Sequence, residues 1–586
     1  MEQIKWKAGQ LYKWKGPLER IVFPLLLFVF PFLLVNQGID ITDTTYSLGY
    51  YRFMDKMDTT WVLATYLANL FGSLLRKLPF GATLLGMNLY TGLIVSALAL
   101  LCYFTLKKYL PAPAVLLGEI IALSLCWCPT TILYNYLTYF LFTAGSLLLY
   151  TGIVRDKKGY LIFAGVCLGL NVMVRFPNLT EMALILAVWF AGWLNRDKLS
   201  RVAGRTGYCI LGYLAGVVSV LLLIMVKYGM GAFPAMMGSL FGMTKEASDY
   251  TPAGMVSDIL SAYGVSFRWM AYMLPCVLLG VLLFLFRKGK WEKAKKLIYC
   301  LGILLLLRLY WGKGMFTLRY YDYECVFQWM MLFLILTLAC CMADLCGYLT
   351  KNKEIRVLAA IILVVLLITP LGSNNYTWQN MNNLFLIAPY TVWTCFRLLR
   401  KTKNEALHFP WQAFVVTILV MVFVQGLGFS FHYVFRDGTT GEKRDYPVEN
   451  SEVLRGMYTT RENAESLSEL IAFCNTGMLT GTGEEEAAVF WGDAPGLSYI
   501  LDIPSAIFTT WPEIPSSTLA ALDEALSALT WQPPVILHNE TGREIVPGDK
   551  TDLILDYLAE HHYQCVFENS NYKIYVSEEE ETDDQL

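Results

Sequence analysis

Apolar residues along this chain are gathered into runs of roughly twenty residues, separated by short polar segments. A helix of that length matches the hydrocarbon core of a bilayer. The run at 112–130 and its neighbour are joined by almost nothing and could form one re-entrant hairpin, so the count is open by one or two. We predict a polytopic α-helical membrane protein with about 13 spans, for which the lipid bilayer is the first partner. The candidate spans are 21–37, 81–106, 112–130, 132–154, 160–175, 178–194, 206–227, 264–286, 295–311, 324–347, 357–371, 384–400 and 411–435.

The first apolar run follows a basic N-terminal segment, residues 1–20. A cleaved signal peptide has a shorter apolar core that ends in small residues. This run instead continues to about Val35 and ends in Asn36-Gln37-Gly38. We therefore expect a retained first span that opens the transmembrane domain, residues 21–435.

After residue 436 the pattern becomes that of an α/β domain, because helical spacing alternates with short buried strands. This alternation favours a small Rossmann-like fold for residues 436–577, followed by an acidic disordered tail at 578–586. No glycine-rich loop follows the first strand, which argues against nucleotide binding there. The predicted elements are a helix at 461–473, a strand at 487–491, a helix at 517–529, a strand at 535–537, part of a helix at 553–558, and a hairpin at 564–567 and 572–576.

Charge divides the chain at the same place. Residues 1–435 carry 38 basic and 19 acidic side chains, whereas residues 436–586 carry 8 basic and 29 acidic ones. The net charge of −2 argues against a nucleic-acid partner. With the N-terminus inside, 27 of the 38 basic residues fall in inside loops, as the positive-inside rule requires. An odd number of spans then predicts a multi-pass cell-membrane protein whose N-terminus is cytoplasmic and whose C-terminal domain is extracytoplasmic.

Three predicted outer loops are unusual, at 38–80, 228–263 and 312–323. The second half of the first loop, from Trp61 to Gly72, is amphipathic at helical spacing and suits a helix lying in the membrane interface. The third loop is short and crowded with charged and aromatic residues. These loops are the places where membrane spans bring ionisable groups to the outer face.

Basic residues near the outer ends of spans are candidates for binding an anion. Arg175 ends the fifth span, Arg308 lies near the outer end of the ninth, and Lys313 and Arg319 follow in the third outer loop. Arginine forks bind phosphate oxygens well, so these four residues are a candidate phosphate clamp. The plainer alternative is that each arginine extends to the lipid headgroups or pairs with a nearby acid.

Two carboxylates, Asp40 and Asp43, follow directly on the first span. In a helix their spacing would place both on one side, at the outer membrane face. A carboxylate there can act as a general base on a hydroxyl. The alternative is structural, because Asp43 before two threonines suits a helix cap and Asp40 suits a turn.

Other chemistry has little support in the sequence. Five histidines are too few and too scattered for a metal cluster, and no divalent metal or other cofactor is expected. Most cysteines lie inside apolar runs, where they pack as small apolar residues. Cys474 and Cys565 of the C-terminal domain could pair or stay free.

The arrangement resembles the GT-C superfamily of membrane glycosyltransferases, of the protein O-mannosyltransferase and aminoarabinose-transferase type. Four features carry the resemblance: one span followed by a long outer loop with an early Asp (Ile41-Thr-Asp43-Thr-Thr-Tyr46), many further spans, the stretch Val-Arg175-Phe-Pro-Asn at an outer end, and an outer α/β domain with the turn Phe-Trp491-Gly-Asp-Ala-Pro-Gly-Leu-Ser-Tyr499. The architectural likeness covers nearly the whole chain, and the motifs cover only short stretches of it.

The resemblance implies a polyprenyl-phosphate-linked sugar as donor, an Asp of the first outer loop as base, and inversion at the anomeric carbon. Carried onto this chain, Asp43 is the base. Many members have Asp-Glu at that place, whereas this chain has Asp43-Thr44, so Asp40 stays the alternative base. The acceptor would be a hydroxyl of a glycan, a lipid or a protein of the cell envelope.

Two other functions remain open. A transporter or flippase of lipid-linked or small solutes would show charges deep in its spans and repeated halves; Glu119 and Glu181 lie within spans, but the sequence has no paired halves. A non-enzymatic scaffold with a binding outer domain is the third alternative. In a transferase, Asp43 should face a cavity with Arg175 or Arg319 across it.

Overall fold

The structure is a computed structural model that describes residues 16–128, 130–246, 252–286, 291–320, 323–371, 375–438, 442–476, 487–514, 517–538 and 548–577. The predicted acidic tail at 578–586 and most of the basic N-terminal segment lie outside the described residues.

Helices make up the chain as far as residue 432. Shorter turns of other helix types occur at Leu18–Val22, Phe30–Phe32, Phe176–Leu184 and Leu282–Phe286. The α-helices are Phe23–Val29, Asp43–Arg52, Thr59–Ala64, Tyr66–Arg76, Leu84–Leu106, Ala112–Leu125, Leu133–Arg155, Lys158–Val172, Ile185–Asn195, Leu199–Tyr228, Ala232–Glu246, Pro252–Ala271, Leu274–Val281, Glu292–Gly312, Glu324–Leu345, Lys353–Ile368, Trp378–Asn382, Ile387–Lys401 and His408–His432.

Several of these helices can cross a bilayer. If the bent pair Ala253–Ala271 and Leu274–Phe286 is counted as one span, it adds a seventh to the six helices named at the end of this paragraph. This confirms the polytopic α-helical class with strands at the C-terminal end, whereas the count of about 13 spans is not confirmed. Within the described ranges, six helices are long and apolar enough: Leu84–Leu106, Leu133–Arg155, Phe176–Asn195, Leu199–Tyr228, Glu324–Leu345 and His408–His432.

Most of the other predicted spans are short or interrupted helices; Glu292–Gly312, which has 21 residues, is the exception. The first apolar run forms the seven-residue helix Phe23–Val29 and then a tighter turn that contains Pro31, which cannot donate a backbone hydrogen bond. The helices Ala112–Leu125 and Lys158–Val172 have 14 and 15 residues. A 15-residue α-helix is about 22 Å long, which is shorter than the ~30 Å hydrocarbon core. Hydropathy alone does not show these breaks.

The C-terminal strands form two small sheets. β1 (Tyr446–Pro447) pairs antiparallel with β2 (Tyr458–Thr459). The larger sheet has the order β3-β4-β6-β5, in which β3 and β4 are parallel and the other neighbours are antiparallel. Its strands are β3 (Val489–Trp491), β4 (Val535–His538), β5 (Tyr563–Glu568) and β6 (Tyr572–Ser577), and the helices of this region are Arg461–Cys474, Leu497–Leu501, Leu519–Ser527 and Asp549–Glu560.

These elements confirm the predicted helices and strands to within a few residues. The sheet differs from the Rossmann-like expectation because it is mixed. Only the β3–β4 pair is parallel, and the final β5–β6 hairpin adds two antiparallel neighbours. A hairpin places consecutive strands side by side in opposite directions, so it cannot extend a parallel sheet.

The apolar core has two main parts. One fills the helical bundle, with Trp329 and Tyr390 almost fully buried. The other joins the first outer loop to the C-terminal region, since Leu48 and Tyr51 belong to the same buried cluster as Tyr499. The C-terminal region is therefore docked on the helices of the first outer loop.

Candidate functional site

The start of the first outer loop is held by backbone hydrogen bonds to the C-terminal region. The N–H of Gly38 donates to the carbonyl of Tyr458 at 2.8 Å, and the N–H of Tyr458 donates to the carbonyl of Asn36 at 2.9 Å. These bonds extend the β1–β2 pairing to the chain just before Asp40. The segment with the two candidate carboxylates is therefore fixed at one end by residues more than 400 positions away in sequence.

Asp40 is buried, and both of its carboxylate oxygens accept hydrogen bonds. Oδ1 accepts from the N–H of Thr42 at 2.9 Å and from its hydroxyl at 2.5 Å, and Oδ2 accepts from the N–H of Thr44 at 2.7 Å. Burial raises the pKa of Asp40, and the hydrogen bonds from the two threonines oppose that rise. Asp40 thus satisfies backbone donors at the start of helix Asp43–Arg52, as a capping residue does.

Asp43 is the first residue of that helix and lies at intermediate burial. Among the described residues, no hydrogen bond to its carboxylate is found. Burial is the largest cause that raises the pKa of Asp43, to about 7, and the charges of Asp40 and Asp493 add to it while Arg436 opposes it. A carboxyl group with a pKa near neutrality and free lone pairs is suited to accept a proton from a hydroxyl. The two carboxylates therefore differ in hydrogen bonding: that of Asp40 accepts bonds on both oxygens, whereas that of Asp43 accepts none from the described residues.

The turn Trp491–Tyr499 packs on the first outer loop. The N–H of Gly496 donates to the carbonyl of Ile41 at 2.9 Å. A Cβ added at Gly496 would lie 1.6 Å from the hydroxyl of Thr45, so glycine is required for this close approach. The contact brings Asp493 within electrostatic range of Asp43.

Arg436 is the cation of this group, which we call the Asp43 cluster: Asp40, Asp43, Arg436 and Asp493. Nη1 of Arg436 lies 3.5 Å from Oδ2 of Asp493, and the charges of Asp43 and Asp40 also act on the guanidinium. The backbone of Arg436 has φ +53°, in the left-handed region that non-glycine residues seldom adopt. Strained residues of this kind are concentrated at functional sites.

Asp437, the next residue, fixes the position of Arg436. Its carboxylate is buried and accepts from the N–H of Ile39 at 3.1 Å, from the hydroxyl of Thr459 at 2.6 Å, and from Nδ2 of Asn463 at 2.8 Å. Burial raises the pKa of Asp437, and these hydrogen bonds oppose the rise. One side chain thus ties the first outer loop, the β2 strand and the following helix together.

Arg175 is the one predicted basic residue that shares a neighbour with Asp43. The phenol of Tyr134 lies within electrostatic range of both side chains. The Nε atom of Arg175 is buried and has no hydrogen-bond partner among the described residues, although Glu181 is near enough to interact with its charge. Asp43 and Arg175 therefore both act on one phenol, and their role in a common site stays a prediction.

Arg308, Lys313 and Arg319 are placed differently. All three are exposed, at the end of helix Glu292–Gly312 and in the loop that follows. In the part of the chain that the structure describes, their side chains make no ion pair or hydrogen bond. The structure thus places Asp40 and Asp43 at the start of one helix and relates Arg175 to Asp43 only through Tyr134. No contact among the described residues links the other three cations to Asp43.

Cavities lie beside the cluster. One of about 30 Å³ is lined by Trp127, Tyr433 and Phe435 among others, and Phe435 directly precedes Arg436. A neighbouring cavity of about 10 Å³ is lined by residues of the first apolar run. Neither cavity is lined by Asp43, so the cavity predicted to face Asp43 is not seen in these two.

Other predicted features concern cysteines and metals. Cys474 and Cys565 are both free thiols. Within the described ranges, no three His, Cys, Asp or Glu side chains form a group that could hold a metal ion. The expectation that the protein needs no metal stays a prediction.

Sequence reasoning did not identify Arg436, Asp437 and Asp493 as parts of the site. Asp493 stands inside the turn quoted for the family resemblance, which was a usable signal. Arg436 and Asp437 lie where the long apolar runs of the predicted membrane domain give way to the mixed pattern of the C-terminal domain. Such a junction between regions is a common place for ligand-binding sites. No periodicity could pair them with Asp43.

Comparison with known proteins gives likeness of structure only. No protein-family model matches the sequence, and no curated protein matches it. ArnT from Cupriavidus metallidurans bound to undecaprenyl phosphate is similar over 96% of this chain and 97% of its own, at 12% identity and a TM-score of 0.41.

The oligosaccharyltransferase of Archaeoglobus fulgidus in complex with zinc and sulfate is similar over 95% of this chain and 73% of its own, at 11% identity and a TM-score of 0.48. The same enzyme tethered to an acceptor peptide with the NVT sequon has 10% identity, covers 97% of this chain and 75% of its own, and has a TM-score of 0.46.

Proposed function

We propose that the protein transfers a sugar from a polyprenyl-phosphate-linked donor to an acceptor hydroxyl at the outer membrane face, with Asp43 as general base. The observation that carries the proposal is the state of the Asp43 carboxylate. It is partly buried, receives no hydrogen bond from the described residues, and has its pKa raised to about 7 by burial first and by neighbouring carboxylates second.

The chemistry needs little more than this base and a cation. The Asp43 carboxylate takes the proton of the acceptor hydroxyl, and the acceptor oxygen attacks the anomeric carbon. The bond from that carbon to the phosphate oxygen breaks, and polyprenyl phosphate leaves with the electron pair. Attack from the face opposite the phosphate inverts the anomeric configuration. Cations beside the base stabilise the charge of the departing phosphate.

Of the four basic residues predicted to clamp the phosphate, Arg175 has the strongest support. It shares Tyr134 as a neighbour with Asp43, and its buried Nε has an unused donor. Arg308, Lys313 and Arg319 remain candidates from the sequence, and their exposure gives them no preformed geometry. A phosphate bound to Arg175 would lie near Tyr134, on which the charge of Asp43 also acts.

The test compares Asp43→Asn with a matched control in the same loop, Asp58→Asn. Asp58 is exposed and caps helix Thr59–Ala64 by accepting from the N–H of Thr60 at 2.9 Å. In membranes supplied with polyprenyl-phosphate sugars, Asp43→Asn should lower transfer by roughly 10²- to 10⁴-fold, the usual worth of a general base. Asp58→Asn should transfer normally.

Normal transfer by Asp43→Asn at normal expression would remove Asp43 from the mechanism. The variant Asp40→Asn then decides between the two carboxylates. If Asp40→Asn alone abolishes transfer, the base is Asp40. Analysis of the anomeric configuration of the product tests inversion.

One observation favours the transporter alternative. Glu119 is fully buried in helix Ala112–Leu125, and both carboxylate oxygens have no hydrogen-bond partner among the described residues. Ionisable side chains inside a membrane domain often line a transport path. Movement of intact lipid-linked sugar that survives Asp43→Asn and is lost in Glu119→Gln would favour this alternative.

A further inference from the structure

We propose that Arg436 binds the phosphate of the donor, and that this phosphate replaces Asp493, the present ion-pair partner of Arg436. The inference rests on the proposed function, because it names the group that receives the donor of that reaction. It adds a residue from the C-terminal region to a site predicted from the membrane spans alone. Asp493 becomes the group that holds Arg436 in place until a phosphate arrives.

The guanidinium of Arg436 has unused hydrogen-bonding capacity. Its contact with Asp493 is 3.5 Å long, which is beyond the 2.7–2.9 Å of a charge-assisted hydrogen bond. Its side chain is 54% exposed and makes no hydrogen bond with the described residues. Arginine presents its donors as a fork that fits two phosphate oxygens, so a phosphate satisfies this group better than the present partner does.

The backbone on both sides holds Arg436 ready for a ligand. Asp437 is fixed by hydrogen bonds from the first outer loop and from the helix after β2. Arg444 donates through Nε to the backbone carbonyl of Asp437 at 3.0 Å. A cation whose main chain is immobilised loses little entropy when it binds an anion.

The surrounding charges permit an anion despite three nearby carboxylates. Burial raises the pKa of Asp43 and that of Asp40, which reduces the negative charge that a phosphate meets. Asp493 can turn away, because 30% of its side chain is exposed. Its release also removes the carboxylate that competes for the guanidinium.

Two small cavities, of about 30 and 10 Å³, lie between Phe435, the residue before Arg436, and the first apolar run. The cavity lined by Trp127 and Phe435 shares Leu34, Cys128 and Ser430 with the smaller cavity of the first apolar run. Trp127 stacks on Phe435 with ring centres 5.3 Å apart. Cavities of this size hold about one or two water molecules, so a polyprenyl chain attached to the phosphate would have to displace the side chains that line them.

The rival explanation is a tether that joins the C-terminal region to itself through Arg436 and Asp493. The two explanations predict opposite effects for the Asp493 variant. In a tether, Arg436→Gln and Asp493→Asn lose the same contact and weaken the protein alike. In an exchange, Arg436→Gln removes the phosphate ligand, whereas Asp493→Asn removes its competitor.

The experiment measures binding of polyprenyl monophosphate, without sugar, to the purified full chain in lipid nanodiscs, with inorganic phosphate as a second probe. Arg436→Gln should weaken polyprenyl-phosphate binding by about 10- to 100-fold, the worth of charge-assisted hydrogen bonds. Asp493→Asn should bind as tightly as the native protein or more tightly. The exposed Arg455→Gln is the matched control and should not change binding. If inorganic phosphate binds with the same pattern among the variants, the phosphate group alone is recognised. If inorganic phosphate does not bind, the polyprenyl group contributes to recognition.

Unchanged binding in Arg436→Gln, or equal losses in Arg436→Gln and Asp493→Asn, would overturn the proposal. If Arg436→Gln does not fold, Arg436→Lys is used; it keeps the charge but not the fork and should bind several-fold more weakly. Asp43→Asn separates the two proposals, because it should bind polyprenyl phosphate at least as tightly as the native protein does. Transfer retained in Asp43→Asn together with binding lost in Arg436→Gln would refute the base and leave the phosphate site standing.

Discussion

Two charged regions of the molecule are organised in opposite ways. In the Asp43 cluster, carboxylates and a cation from the first outer loop and the C-terminal region are held by backbone hydrogen bonds and by the buried Asp437. In the loop after helix Glu292–Gly312, Lys313 and Arg319 are exposed, and no described residue pairs with them.

The difference shows what makes charged side chains useful for chemistry. Charges in water are screened and mobile, so they lose most of their effect on a reacting group. Charges held in a partly buried place keep a fixed geometry and perturb one another's pKa, as Asp40 and Arg436 do to Asp43. Candidate residues are therefore better judged by what fixes them than by their number.

The largest effect is expected at the residue that holds the cluster together. Asp437→Ala leaves three donors, from Ile39, Thr459 and Asn463, without their carboxylate acceptor. It also removes the charge partner of Arg444, whose Nε lies 3.6 Å from the carboxylate. Removing one partner of a buried charged pair costs about 3–5 kcal/mol of unfolding free energy. Denaturant unfolding in detergent should show this loss, together with faster proteolysis in the first outer loop.

The control for that experiment is Asp55→Ala. Asp55 pairs with Lys227, but its side chain is 79% exposed. An exposed ion pair is worth roughly 0–1 kcal/mol, so this variant should be nearly as stable as the native protein. Equal losses in the two variants would contradict the special role of Asp437.

A much smaller effect is expected in the other region. Arg308→Gln, Lys313→Gln and Arg319→Gln each change an exposed side chain, so each should change the unfolding free energy by no more than about 0.5 kcal/mol. Binding of polyprenyl phosphate should stay close to the native value, in contrast to Arg436→Gln. A loss in Arg319→Gln as large as that in Arg436→Gln would show that the phosphate clamp predicted from the sequence is right.

Much of the fold follows from local patterns. Runs such as Leu84–Leu106 and Leu133–Arg155 are long and apolar enough to be recognised individually, and β3 and β4 are short buried strands bounded by turns. The number of spans does not follow, because a hydropathy window does not detect the turn at Pro31 or the shortness of Ala112–Leu125. Those breaks depend on backbone hydrogen bonding and on packing.

The site is predictable only in part, for a similar reason. Asp40 and Asp43 are marked by their place after the first apolar run, yet only three-dimensional contacts separate the capping carboxylate from the free one. Arg436 lies 393 positions after Asp43, and no periodic pattern relates residues so far apart. Docking of the C-terminal region on the first outer loop creates the cluster.

We propose Asp43 as a base whose proton affinity is set by fixed neighbours. A base must be unprotonated to act, and the pKa of Asp43 is raised from its ordinary value of 3.8 to about 7. Sugar transfer should therefore rise with pH, reach half of its plateau near pH 7 and level off about one pH unit higher. Asp493 raises that pKa, so Asp493→Asn should move the midpoint of the pH–rate profile to lower pH.

Arg436 lowers the same pKa, so Arg436→Gln should move the midpoint to higher pH at saturating donor. The pH–rate profiles of the native protein and of these two variants are therefore the most direct test. We expect one inflection near pH 7 that moves in opposite directions in the two variants. A profile without an inflection between about pH 5 and 8, or one that neither variant moves, would contradict it.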